Sequence, residues 1–183
     1  MRPHVSAPVW ALIQLQLLTG ARSGELVVLR PCDLDRSGPV WAYRPAEHKT
    51  SHHGHERVVY LGPQAQDVLR PFLLRRPEEF CFSPAEAERA RRGQPDRPRR
   101  PGRLPRERYD ADSYGNAIRR ACKKAKVPHW HPHQLRHAAA TNLRREFGLE
   151  VARVILGHQD IGVTQLYAEA DKARAVEIMG RIG

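Results

Sequence analysis

Cysteine is scarce in this chain. Cys32, Cys81 and Cys122 are far apart and odd in number, and no CxxC pair occurs. A disulfide framework and a zinc ribbon are therefore not indicated, and a reducing, cytoplasmic setting is the expectation. Long apolar runs are also lacking. Val9–Leu18 is interrupted by Gln14 and Gln16 and is too short to span a membrane. It suits a buried first helix better than a signal peptide. Acidic residues are the third shortage: 20 Asp and Glu face 31 Lys and Arg, a formal charge of +11. A field of that sign attracts polyanions, nucleic acid first and anionic membrane second. At 183 residues the chain has the size of one domain and can bury a core without covalent staples.

Local patterns point to a mainly α fold with a small antiparallel sheet. Ala7–Leu18 reads as a buried helix, and Ser23 can cap a second that runs through Glu25, Leu26 and Leu29 until Pro31 stops it. "PVWAYRP" (39–45) and "ERVVYLG" (56–62) are short and rich in strand formers, so a β-hairpin with a long basic turn is expected. "PQAQDVLRPFLLRR" opens a helix on proline, and "EEFCFSP" reads as a short extended piece. Residues 84–110 hold proline, glycine and arginine with few apolar residues, and nine arginines fall between Arg89 and Arg108. This stretch is expected to be a mobile insert, either a solvated linker or an arm on an anionic partner. Helices are then expected over 113–126, 132–147 and 149–156, the last ended by Gly157. A further helix is expected over 162–169, with 172–179 as a short tail.

Three stretches carry chemistry. "HPHQLRHAAATNL" (131–143) admits a metal site, an ordinary packed helix, or a phosphate clamp. His133 and His137 share a helix face at the spacing zinc proteases use, but Gln134 stands where the general-base glutamate would be. No thiolate pair or carboxylate ligand accompanies them, so no metal is expected. Arg136, one turn from His133, offers a planar and always-charged fork that matches two phosphate oxygens. "TGARSGEL" (19–26) sets Arg22 beside two glycines, three residues before Glu25, where an i,i+3 ion pair is the plain alternative. "LGHQDIGVTQLY" (156–167) places His158 after a helix-ending glycine and Tyr167 nine residues further on.

Taken in order, "TGARSGEL", "HKTSHHGHERVVYL", "HPHQLRHAAATNL" and "LGHQDIGVTQLY" resemble the catalytic domain of the tyrosine recombinases, the phage-integrase family. The resemblance runs from about Ala7 to Ala170. It implies the DNA breaking-rejoining fold and strand cleavage and rejoining for site-specific recombination or integration, as in mobile elements. It implies Arg22 and Arg136 as the arginines that grip the scissile phosphate, Lys49 as the hairpin lysine, His133 and His158 as the histidines of two boxes, and Tyr167 as nucleophile. Glu25 matches an acidic position that supports the site, and His137 fits a second, structural histidine. No cofactor is implied. The partner implied is double-stranded DNA, bound by a chain that is a monomer when free and a tetramer on DNA, with no role for a membrane. Two neighbouring readings are a decayed fragment that only binds DNA and a type IB topoisomerase-like relaxing enzyme. Residues 1–183 are expected to form a single catalytic domain, without the N-terminal DNA-binding domain that relatives carry, and to bind DNA weakly alone.

Overall fold

The computed structural model describes residues 2–46, 57–92, 106–157 and 165–183, with side chains described for all of these except 91–92 and 165–172. Helix α1 (Ala7–Thr19) starts with Pro8 in its first turn and buries Val9, Leu12, Ile13, Leu15, Gln16 and Thr19. Side chains buried on every side make it the axis of the core rather than a surface helix. Gly20 ends it in the left-handed region, φ 64°, and donates its N–H to the Gln16 carbonyl. A five-residue helix α2 (Ser23–Val27) follows. Its N-cap is Arg22 rather than Ser23, which corrects the sequence expectation. The Arg22 N–H donates to Glu25 Oε2 at 2.8 Å, so the carboxylate three places on satisfies the N-cap backbone N–H, the half of a capping box that an acidic N3 residue supplies.

The sheet has three antiparallel strands in the order β1 (Leu34–Asp35), β2 (Trp41–Tyr43), β3 (Val59–Leu61). Trp41 pairs with Leu61 and Tyr43 with Val59, so the expected hairpin is present. The two-residue β1 was not foreseen. The hairpin turn, with Lys49, lies outside the described residues. Helix α3 (Pro63–Leu69) begins on its proline as expected.

The expected insert differs at both ends. Pro84–Arg92 forms helix α4, where the sequence reading saw too little apolar surface to order the segment. Arg75 donates to both Glu86 oxygens, at 3.1 and 3.2 Å, and so ties α4 to the preceding turn. At the other end Tyr109 is buried and Asp110 caps helix α5 (Ala111–Ala125), accepting from the Ser113 N–H at 2.6 Å. Residues 93–105 lie outside the described residues. "EEFCFSP" forms no strand; its Cys81 N–H donates to the Leu29 carbonyl at 2.8 Å.

Helices α6 (Pro132–Phe147) and α7 (Leu149–Leu156) match expectation. The chain then ends on one helix, α8 (Gln165–Ile182), rather than a short helix and a tail. The polar stretch "EADKAR" suggests a break, yet it is rich in alanine, the best helix former. Ala175, Ile178 and Met179 bury the far half against α7 and β3.

Two apolar clusters result. One gathers α1, α2, the sheet, α3 and α5 around Leu12, Leu15, Leu26, Tyr43, Phe82, Tyr114 and Ile118. The other gathers Leu143 of α6, Val151, Ile155 and Leu156 of α7, and Ile178 and Met179 of α8. Among the described residues no helix is long and apolar enough to cross a membrane.

Candidate active site

The candidate residues lie on the seam between those clusters, where α1 and α7 both end. On α6 the buried positions are Pro132, Arg136, Ala139 and Leu143, a stripe at helical spacing that aims Arg136 inward. Its side chain reaches both helix ends. Nη1 donates to the Gly20 carbonyl at 2.5 Å and Nη2 to the Leu156 carbonyl at 2.8 Å. These are terminal carbonyls that helices leave without partners, at the negative ends of two helix dipoles. Burial, with Arg22 and Arg57 nearby, pushes the Arg136 guanidinium down to about 10, with Glu25 opposing. It remains a cation at neutral pH.

Both helix ends favour glycine, since each is left-handed and closely approached. A Cβ on Gly20 would stand 2.4 Å from Leu156 Cδ2, and one on Gly157, φ 66°, would stand 2.7 Å from Arg57 Nη1. The "TG" and "LG" pairs in the sequence are thus two halves of one interlock. Thr19 supports it, donating its hydroxyl to the Leu15 carbonyl at 2.6 Å and accepting from the Ala21 N–H at 3.2 Å.

Arg22 leaves this corner half-buried, its side chain 32% exposed, with Nη1 on Glu25 Oε1 at 2.8 Å. The i,i+3 ion pair is therefore present, with Glu25 on one edge of the guanidinium. Glu25 is buried. Burial pushes its carboxyl up, but the Arg57 charge and hydrogen bonds from Arg22 and Arg57 outweigh that and hold it below the ordinary glutamate value. Tyr43 donates its hydroxyl to the Glu25 carbonyl at 2.5 Å, which fixes the residue from the sheet side.

His133 lies about 60° round α6 from Arg136 and is exposed, while Arg136 is buried. Its ring meets that of His137 edge-on, centroids 4.5 Å apart at 86°. Desolvation, then the charges of His137, Arg136 and Arg22, lower the His133 imidazole below its usual value. That shift favours the neutral imidazole, which can donate one hydrogen bond and accept another. Among the described residues no three His, Cys, Asp or Glu side chains converge as a metal-binding group.

Arg22, Glu25, His133, Arg136 and His137 thus gather in one region. Lys49 and His158 lie outside the described residues. Tyr167 belongs to the first turn of α8, and its side chain is likewise outside them.

One residue escaped the sequence reading. Arg57, just before β3, is buried, with Nε 3.2 Å from Glu25 Oε1 and Nη2 3.5 Å from Oε2. The signal was present in "RVVYL": Val59 and Leu61 face the core, and strand alternation puts Arg57 on the same side. A charge on a core face needs a buried partner.

The sequence matches the family model described as the phage integrase family over residues 4–174. It is 30% identical over 173 residues to the tyrosine recombinase XerC of Corynebacterium glutamicum, covering 93% of this chain and 49% of that one. In fold it is similar to the integrase of mycobacterium phage Brujita, with a TM-score of 0.60 and 18% identity over 97% of this chain and 52% of the other. It is also similar to the site-specific recombinase XerH bound to its difH substrate, with a TM-score of 0.55 and 18% identity over 93% and 45% of the two chains. The chain spans about half the length of the curated relatives it matches.

Proposed function

Because this chain belongs to the phage integrase family, we propose that it breaks and rejoins duplex DNA through a covalent phosphotyrosine. The observation that carries this reading is the seam itself. Three guanidiniums and one carboxylate, Arg22, Arg57, Arg136 and Glu25, meet at two helix ends and leave a net positive charge of two.

The chemistry follows from that charge. A phosphodiester is anionic and repels nucleophiles. Arg22 and Arg136 neutralise its non-bridging oxygens and stabilise the negative charge that grows in the transition state. The same cations favour the phenolate of Tyr167, whose free pKa is about 10. Its oxygen attacks phosphorus, a 3′-phosphotyrosine forms, and the bond to the 5′-oxygen breaks. Lys49, on the hairpin turn, delivers the proton that oxygen needs. His133 and His158 donate hydrogen bonds to the phosphate or shuttle the tyrosine proton. The ester keeps the energy of the broken link, so a second 5′-hydroxyl displaces the tyrosine and seals the strand without ATP.

We infer that phosphates flanking the reacting one meet α5, where Arg119, Arg120, Lys123 and Lys124 are all exposed. The full reaction requires two duplexes, and we infer a tetramer on DNA from a chain that is monomeric when free. Residues 1–183 act in it as one catalytic unit.

The test is a nicked half-site that loses a short 5′-hydroxyl strand after cleavage and so traps the adduct on a denaturing gel. An adduct that resists chelators and vanishes in Tyr167→Phe is expected. No adduct would leave a DNA-binding module, and an adduct that survives Tyr167→Phe would remove the nucleophile assignment.

A further inference from the structure

Arg57 makes four contacts that tie three parts of the chain together. Nε and Nη2 face the two oxygens of Glu25, at 3.2 and 3.5 Å. Nη1 donates to the Val58 carbonyl at 2.8 Å and to the Ile155 carbonyl at 3.2 Å. Its side chain is 5% exposed and that of Glu25 is 4% exposed, so the pair is shielded from water. Glu25 in turn holds both the backbone N–H and the guanidinium of Arg22. The Ile155 carbonyl is adjacent to the Leu156 carbonyl that Arg136 grips. Gly157 lies directly over the Arg57 fork, with no room for a Cβ.

We propose that Arg57 is a positioning residue that locks the Arg22–Glu25 pair to the C-terminal end of α7, so that the Arg22 and Arg136 arms of the site form as one unit. This deepens the strand-cleavage reading and rests on it for its catalytic consequence. A guanidinium is suited to the task because only its planar fork serves a carboxylate and a carbonyl from separate edges at once. Lysine keeps the charge but has one nitrogen, and cannot span Glu25 and Ile155 together. Arg57 also follows Lys49 by eight positions, so the outgoing foot of the hairpin is fixed to the same point.

The groups that face Glu25 are Arg22 from α2, Arg57 from the approach to β3, Tyr43 of β2 through the Glu25 carbonyl, and Arg136 of α6 through space. Removing Arg57 deletes one of the two cations bonded to the carboxylate. Carbon-13 NMR of the labelled Glu25 carboxyl, followed against pH on the full chain, reads this directly and needs no catalysis. In Arg57→Met the Glu25 midpoint is expected to rise by about one pH unit. In Arg57→Lys it stays near wild type. An unchanged midpoint in a folded Arg57→Met protein overturns the proposal.

The half-site assay supplies the second reading. Arg57→Lys is expected to lower single-turnover adduct formation about 10–100-fold with DNA affinity within about twofold, because the arms are displaced rather than lost. If Arg57→Met fails to fold, Arg57→Lys decides: wild-type cleavage by a folded Arg57→Lys protein overturns the proposal. If wild type itself forms no adduct, the strand-cleavage reading fails, while the Glu25 titration still judges whether Arg57 holds it.

Discussion

At the scale of single residues, the seam depends on backbone shape as much as on charge. Gly20→Ala and Gly157→Ala each force a side chain into the left-handed region and against a neighbour, Leu156 in one case and Arg57 in the other. Each is expected to cost about 2 kcal/mol or more, read as a lowered urea midpoint. Arg136→Lys removes a fork that serves two carbonyls and is expected to lower half-site cleavage about 100- to 1,000-fold. Glu25 carries a pH signature. Its folded pKa is lowered, so its stabilising contribution is complete above its unfolded value, near 4.5, and is lost as pH falls through the folded one. Glu25→Gln is therefore expected to destabilise by about 3 kcal/mol at neutral pH. The gap from wild type should narrow in calorimetry as the pH falls below 4.5. What was legible here follows residue type. Arg22, Glu25, His133 and Arg136 stand in short contiguous boxes, so a resemblance to a family pattern could group them where no single box could. Arg57 could not be paired from sequence alone, since its partners are 32 and 98 positions away.

At the scale of elements, stop and start signals decided what could be foreseen. Pro63 and Pro132 at first-turn positions and Gly157 at a helix end marked α3, α6 and α7 correctly. Ser23 misled, because the cap falls one residue earlier, on Arg22, whose N–H donates to the Glu25 carboxylate. The two-residue β1 is too short for alternation to show. Helix α8 was split in two because its middle is polar, and only tertiary burial of its far half reveals the continuity. Met179, fully buried, tests that: Met179→Ala is expected to cost about 2–4 kcal/mol in chemical denaturation. For α5, Asp110→Ala removes a reciprocal cap with Ser113 and is expected to cost about 1 kcal/mol.

At the scale of the whole molecule, the dominant feature is the surplus of positive charge, +11 over 183 residues. Duplex binding by this chain is expected to be weak and to fall steeply as salt rises, since it works by displacing counterions from phosphates. Titrations by fluorescence anisotropy at several salt concentrations check this. Replacing Lys123 and Lys124 together with alanine is expected to flatten the log–log slope by about two while leaving the fold intact.

The carbonyls that hold Arg57 and Arg136 belong to the main chain at Ile155 and Leu156. No exchange of one amino acid for another at those two positions can delete a peptide oxygen. Mutational drift there can alter packing but cannot abolish the acceptors, provided the last turn of the helix still closes. The vulnerable quantity is a conformation, so damage to this corner should come from whatever unwinds that turn.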